Sequence, residues 1–595
     1  MVLRLILILV PVLLLMNGVG AVDHPNVVLV ITDDQGWGDV GIHGNDKINT
    51  PSLDQLARDG VRLNRFYVSP VCAPTRASLM TGRYHLRTGV HGVTRGQETM
   101  RENEYTLAEA FSDNGYMTGC FGKWHNGAHY PHNPNGQGFD RFLGFSAGHW
   151  NNYFDTELES DGEMVRTEGF LVDVIAGEAR QFIRRSQRER KPFFCYLSIN
   201  TPHTPWQVPD KYFSKYENAG LDDEAACAYA MVEHLDHQVG AMRQTLDNLG
   251  ILDDTIFIFM TDNGPNSNRF NGGMRGRKGS VHEGGMRVPF FIHWPGHIEG
   301  GHILEGISCH MDILPTLSSL CGLAVDPGIR GTWDGLDLTP RLMGRKDAWS
   351  DRMIFHKWGG SPDSTQRGSI RTQDFRAVVE NGKWQLYDMK ADPSQEINLA
   401  SSGTRETSQV LKDLRSAWSQ WHQDVTRDGF DPEFIQIGHT NRFGRVVRLP
   451  GHEALLQPEK GRGIRYHGPN GWANDWVDGW TSQESWPEWP VHVLESGDFS
   501  VVLRCSIPEA SMGIPMVLEA GPAQLEFKID KSFEGEQIAS PDRIVRKEVY
   551  ERTWRDWEIG TIRLEPGHFR LRIKALDSHS GEILDLKEVI LTRIR

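Results

Sequence analysis

At 595 residues the chain is longer than one hydrophobic core usually serves, so two domains are expected. A net charge of −15, from 78 acidic and 63 basic residues, excludes nucleic-acid binding through a general basic field, and a polyanionic ligand would need a local basic pocket. Seven cysteines, scattered at 72, 120, 195, 227, 309, 321 and 505, exclude a disulfide scaffold and a cysteine-based zinc cluster and leave room for one or two bridges at most.

In chain order, residues 1–21 carry an early Arg4, an apolar run from Leu5 to Met16 and small residues before Val22, the pattern of a cleaved export leader. The run is too short to span a bilayer comfortably, and no other segment reads as membrane-spanning. The mature protein is therefore expected to be secreted or periplasmic. Asn26–Thr32 is a β-branched run that ends in Asp33 and Asp34. Thr255–Thr261 repeats that form before Asp262 and Asn263. Met117–Gly122 leads into Lys123 and His125, and Phe193–Asn200 leads towards His203. All four read as buried parallel strands, with helical patterns at Pro51–Asp59, Thr106–Asn114, Phe170–Arg185 and Glu224–Leu249 between them. Polar residues at strand ends meet where open α/β sheets bind ligands. The expected catalytic domain, 22–430, is thus α/β with a mostly parallel central sheet flanked by helices. A connecting segment rich in Gly, Pro and Trp is expected over 431–490, and short alternating runs over 491–595 predict an antiparallel β-sandwich.

Two features carry chemistry by residue type. Asp33, Asp34, Asp262 and Asn263 form an all-oxygen set that suits a hard divalent cation, Ca²⁺ best. Cys72-Ala73-Pro74-Thr75-Arg76 places a cysteine just before a short helix, with Pro74 in its first turn and Gly82 at its exit, so that its free N–H groups face an anion.

This run, with Gly122-Lys123-Trp124-His125, Thr201-Pro202-His203-Thr204-Pro205 and the segment from Gly276 to Pro289, resembles the type I (formylglycine-dependent) sulfatases of the alkaline-phosphatase-like superfamily. The resemblance continues through Gly138-Phe139-Asp140, Met311 to Thr316, Leu386-Tyr387-Asp388 and Asp392-Pro393, and covers roughly residues 25–425. It implies that Cys72 is oxidised to formylglycine by a formylglycine-generating enzyme, and that Asp33, Asp34, Asp262, Asn263 and the modified Cys72 hold the cation. It further implies catalytic roles for Cys72, Arg76, Lys123, His125, His203 and Lys278. A hydroxyl of the aldehyde hydrate would attack sulfur with Asp262 as base, while His203 or Lys278 serves the leaving alcohol. His125 would then deprotonate the second hydroxyl and expel sulfate. The chain departs from the family pattern at Thr75, usually Ser or Ala, and at Asn126, usually apolar. Neither position carries a reacting group.

An exported sulfatase with an added sandwich resembles those acting on sulfated polysaccharides or oligosaccharides. Trp472, Trp476, Trp480, Trp486 and Trp489 offer either a platform for sugar rings or a buried seam between domains. His43, His129, His149, Trp150, Arg275 and Arg277 flank the motifs as subsite candidates. The competing readings are a small aryl sulfate sulfatase, a phosphodiesterase or phosphonate monoester hydrolase of the same superfamily, and an inactive glycan-binding protein. A single-cation ligand set disfavours a two-metal phosphatase, and the filled polar positions disfavour lost activity.

Overall fold

The structure is a computed structural model that describes residues 24–594 apart from 346–348, 350, 360–362, 402–403, 459–462, 469–470 and 578–580. The leader expected over 1–21 lies outside the described residues. No helix among the described residues is long and apolar enough to cross a membrane.

The catalytic half is built on a ten-stranded sheet. Its five central strands, Thr255–Thr261, Asn26–Thr32, Phe193–Ser198, Met117–Lys123 and Arg141–Phe145, run parallel in that spatial order. Antiparallel strands extend both flanks: Phe290–His293 on one side, and Glu157–Ser160 with Glu163–Arg166 on the other. Asn26–Thr32 is buried at every position, because alternate side chains serve opposite faces. Val28 and Val30 join a core with Leu53, Ile175 and Leu235, while Val27, Leu29 and Ile31 join one with Ala77, Phe111 and Leu314. Helices therefore cover both faces, as an apolar strand of this kind requires.

Capping fixes where those helices start. Thr106 and Glu109 form a capping box on Leu107–Ser112, and Asp222 accepts from Ala225 N to open the helix Asp223–Asn248. The helix Cys72–Thr81 begins at Cys72 itself, one position earlier than expected, because Val71 is already the extended N-cap residue. Gly82 ends it in the left-handed region, φ 67°.

Beyond the large sheet, strands Ile354–Lys357, Arg367–Arg371, Phe375–Glu380 and Lys383–Asp388 form a four-stranded antiparallel sheet. The amphipathic helix Arg405–Val425 packs Leu414, Trp418 and Trp421 into the core of this unit.

The C-terminal region is a β-sandwich of two six-stranded, mainly antiparallel sheets that share one core. The span 431–490 is not the connector that the composition led us to expect. It supplies strands to both sheets: Val446–Pro450 pairs with Asp585–Arg593, and Leu455–Gln457 pairs with Trp486–Val493. Its tryptophans are mostly core, since Trp476, Trp480 and Trp489 are buried, with Trp472 and Trp486 half-buried. A five-ring sugar platform is thereby overturned: burying the indoles removes large apolar areas from water. All seven cysteines are unpaired and buried.

Candidate active site

The carboxyl ends of four parallel strands converge at one point. Thr32 and Thr261 are register partners in neighbouring strands, so Asp33-Asp34 and Asp262-Asn263 emerge side by side although they lie far apart in the chain. Asp34 N donates to Asp262 Oδ1 at 3.1 Å, and Asn263 Nδ2 donates to Asp34 Oδ1 at 2.8 Å. All four side chains are essentially inaccessible. Asp34 sits at φ 67°, a conformation that a short polar side chain tolerates better than most.

Cations surround this acidic quartet. Lys123 Nζ lies 2.6 Å from Asp33 Oδ2, and Lys278 Nζ lies 2.7 Å from Asp34 Oδ1. Arg76 Nη2 lies 2.8 Å from Asp262 Oδ2, and Arg76 Nη1 donates to Ser198 Oγ at 2.5 Å and to the Lys123 carbonyl at 3.2 Å. Gly122 is needed immediately before Lys123: its φ is 110°, and a Cβ there would lie 2.0 Å from the Ser198 carbonyl oxygen. Thr75, one of the two family departures, donates to the Asp262 carbonyl at 2.7 Å and so ties the cysteine helix to the metal-side strand.

Two groupings of donor atoms have metal spacing: Asp33 with Asp34 and His203, and Asp33 with Cys72 and Asp262. The donor chemistry fits a cation, because Asp33 Oδ1 and Asn263 Oδ1 are both buried with no hydrogen-bond partner. The electrostatics agree. Burial opposes ionisation of Asp33, yet Lys123, His203, Arg76 and Lys278 hold its carboxyl well below the usual range. Burial and then the Asp33 charge push Asp262 up, the signature of two adjacent carboxylates that lack enough positive charge. Burial also pushes the Cys72 thiol up. An unmodified Cys72 is thus a poor thiolate nucleophile here.

The histidines present definite faces. His125 Nε2 lies 2.8 Å from the Val93 carbonyl oxygen, which places the proton on Nε2 and leaves Nδ1, buried and unpartnered, with a free lone pair. Burial, followed by Lys123, pushes this imidazole well below its ordinary value and keeps it neutral. His203 Nδ1 lies 2.7 Å from the Thr204 carbonyl oxygen, and its Nε2 faces Asp34 Oδ2 at 3.7 Å. Burial, then Lys278, pushes His203 down as well.

A sulfatase family profile matches residues 25–323, and a profile described as N-sulphoglucosamine sulphohydrolase, C-terminal, matches residues 277–424. The chain belongs to the type I sulfatase family. Human arylsulfatase A is 31% identical over 494 residues, covering 72% of this chain and 93% of that protein. Canine N-acetylgalactosamine-6-sulfatase is 30% identical over 427 residues, 66% of this chain and 79% of its own. Among solved structures, Ps i-CgsB in complex with k-i-k-neocarrahexaose superposes with a TM-score of 0.63 at 29% identity, covering 69% of this chain and 95% of that one. This sulfatase is a hydrolase of sulfate esters with an alkaline-phosphatase-like α/β unit and an antiparallel C-terminal β unit.

Every residue expected at the site of the sulfatase lies in this cluster or lines it, but the flanking candidates disperse. His149 stacks on His203 with ring centroids 6.2 Å apart, the one flanking residue to reach the centre. His43 stacks on Trp37, His129 pairs with Glu453 at 2.6 Å, and Arg275 donates to Tyr387 Oη. Arg277 is exposed and donates to the Asn266 carbonyl. Two participants, Ser198 and Glu548, escaped the sequence reading, and Asn126 is marked there only as a departure from the family pattern. Ser198 holds Arg76, but a serine at a strand end is ordinary and gives no signal. Asn126 donates to the Ala73 carbonyl at 3.1 Å, clamping the cysteine helix to the His125 loop, so this departure performs a structural task. Glu548, from the C-terminal sandwich, accepts a hydrogen bond from Thr204 Oγ1 beside His203. Nothing near Glu548 in the sequence marks it.

Proposed function

We propose that this sulfatase hydrolyses sulfate esters on a polysaccharide or oligosaccharide, using formylglycine at position 72 and one Ca²⁺ ion held by Asp33, Asp34, Asp262, Asn263 and residue 72. The observation that carries the metal reading is the pair of buried, unpartnered oxygens, Asp33 Oδ1 and Asn263 Oδ1, inside a ring of paired cations. When bound, the cation supplies positive charge that acidifies a hydroxyl at position 72 and draws sulfate oxygens towards it.

The side chains around it divide the remaining work. Lys123 and Lys278 supply point charges for sulfate oxygens, and Arg76 neutralises the anion at position 72 while fixing the Asp262 carboxylate. Asp262 accepts the proton of the attacking hydroxyl. His203 faces the centre through Nε2 because Nδ1 donates to the Thr204 carbonyl, so it gives a proton to the leaving alcohol only as the imidazolium, and the Lys278 ammonium beside it supplies the standing positive charge for that oxygen. His125 Nδ1, bare because Val93 holds the other nitrogen, accepts the proton whose removal releases sulfate. Maturation by a formylglycine-generating enzyme and export from the cytoplasm belong to the same reading.

Three lines support a glycan as substrate. One relative is named for N-acetylgalactosamine 6-sulfate, a solved relative was crystallised with a neocarrahexaose, and the added sandwich reaches the site through Glu548. The test is mass spectrometry of the Cys72 peptide from protein produced with a formylglycine-generating enzyme, paired with sulfate release from a panel of sulfated glycans, 4-nitrophenyl sulfate and a matched phosphodiester. Formylglycine with glycan desulfation is the expected result. Formylglycine with phosphodiester turnover alone would replace this reading by the phosphodiesterase one.

A further inference from the structure

A cavity of about 610 Å³ lies between the catalytic unit and the sandwich, apart from the cation cluster. Its size is that of a small-ligand site. The loop 146–151 connects it to the centre: Ser146, Ala147, Trp150 and Asn151 line the cavity, while His149 between them stacks on His203. Gly148 passes so close to His125 that a Cβ would lie 2.5 Å from its Nε2. One loop thus separates the cavity from the reacting groups.

The lining has a definite chemistry. Carboxylates outnumber lysines and arginines, and four of the five cations are held by a carboxylate, while the fifth, Arg166, stands exposed at the rim 3.8 Å from Glu157. Arg448 is held by Glu588 at 2.8 Å, Arg504 by Asp556 at 2.7 Å, Arg552 by Asp585 at 2.6 Å and Lys587 by Glu551 at 3.0 Å. Apart from Arg166 at the solvent-screened rim, a sulfated or phosphorylated group would meet only engaged cations and a surplus of negative charge. Nor are the carboxylates gathered for a metal: among the described residues, the clusters with metal spacing all lie at the active centre. Three buried polar atoms in the lining lack partners, Glu98 Oε2, Asn151 Oδ1 and His452 Nδ1, on residues no more than 7% exposed. Burial raises the Glu98 carboxyl to about 8 and lowers His452 to about 4, so near neutral pH both groups are uncharged. A protonated carboxyl and a neutral imidazole in the same lining offer hydrogen-bond donors and acceptors without charge, the complement of hydroxyl groups. Trp150 rests one side on Phe145 and is half-buried, leaving an apolar ring at the cavity wall.

We infer that this cavity binds uncharged, unsulfated sugar units of the substrate chain, next to the sulfated unit held at the cation centre, with Trp150 as a stacking face and Glu98 and His452 as hydroxyl partners. The inference rests on the glycan reading and deepens it. A site selective for unsulfated neighbours makes the sulfatase a reader of sulfation pattern as well as of the ester it cleaves.

The test uses the full, matured chain with 4-nitrophenyl sulfate, which extends no farther than the centre, and with the sulfated oligosaccharide identified by the glycan panel. The variants are Trp150→Ala, Glu98→Ala and Glu98→Gln. In the first two, kcat/KM for the oligosaccharide relative to the aryl ester falls about tenfold through KM. Glu98→Gln keeps a donor and an acceptor and retains the wild-type ratio. Parallel loss on both substrates, or an unchanged ratio in both alanine variants, overturns the inference. Aryl ester turnover with no glycan desulfated defeats the glycan reading instead, and the inference with it.

Discussion

Arg76 and Asp262 form an ion pair from which solvent is excluded, Nη2 to Oδ2 at 2.8 Å, with side-chain exposures of 1% and 0%. The arginine comes from the cysteine helix and the aspartate from the end of the Thr255–Thr261 strand. The pair therefore locks residue 72 against the acidic quartet.

Breaking that pair should cost stability and activity together. Asp262→Ala leaves a buried guanidinium uncompensated, at about 3–5 kcal/mol, and is expected to lower the melting temperature markedly. Asp262→Asn keeps the shape, and it should lower kcat about 100-fold or more with a smaller thermal effect. Calorimetry alongside steady-state kinetics checks both. Wild-type kcat in Asp262→Asn would remove the carboxylate from the proposed chemistry.

Cation binding should be visible without turnover. Chelation with EGTA is expected to lower the melting temperature, and added Ca²⁺ to restore it, because a ligand of the folded state at 100 times its Kd contributes about 2.7 kcal/mol. Asp33→Asn should abolish the Ca²⁺ response. An equal response in wild type and variant would place the ion elsewhere.

Glu98 makes a pH-dependent stability prediction. Its folded carboxyl lies near 8 through burial, against about 4.5 for a free glutamate. Between those values the unfolded chain has released a proton that the folded chain keeps, so stability falls as pH rises and then levels off. Glu98→Gln removes the titration. The variant should match wild type near pH 4.5 and be more stable by on the order of a few kcal/mol at pH 8. Thermal melts across that range decide it, and a constant difference would refute the assignment.

Glu283 predicts the opposite slope. It accepts from Tyr67 Oη at 2.8 Å and pairs with Arg376 at 2.7 Å beneath the four-stranded sheet. Burial alone would raise this carboxyl, but Arg376 and Arg371 hold it near 2. Its contribution is present above the unfolded value of about 4.5 and is lost as pH falls towards 2. Glu283→Ala should cost about 3–5 kcal/mol at neutral pH, since two buried arginines lose their partner. Denaturant titration measures this. A loss below about 1 kcal/mol would mean that the arginines find other acceptors.

Sequence and structure agree where one local rule dominates. Asn26–Thr32, Thr255–Thr261 and Pro51–Asp59 match the observed elements because unbroken β-branched runs and a proline-started amphipathic pattern admit few alternatives. The acidic quartet was legible for the same reason, as polar pairs set directly after apolar strands. The strands of 431–490 were not. Val477 pairs with Leu586 and Arg448 with Ile590, partners more than a hundred residues away, and strands as short as Arg465–Tyr466 carry no periodicity of their own. Trp480 and Trp489 show the same limit: an indole in a Gly and Pro-rich stretch reads identically whether it faces sugar or core, and only packing decides. Glu548 reaches Thr204 from an irregular segment between two sandwich strands, a purely tertiary placement.

The register of Thr32 with Thr261 imposes an order of events on synthesis. The N-terminal strand and the cysteine helix leave the ribosome long before the strand that completes the acidic quartet exists. During that interval the Cys72 segment has no Asp262 to hold Arg76 and no neighbouring strand to bury it. In the finished fold Cys72 is only 4% exposed. Under the formylglycine reading proposed above, oxidation at this thiol is therefore a task for a growing or unfolded chain, and a molecule that folds with the thiol intact has passed its deadline. On that reading the fraction of active enzyme in any preparation is set by a race between two rates, conversion of the thiol and closure of the sheet, so that slowing the second would raise specific activity without changing a single contact in the native protein.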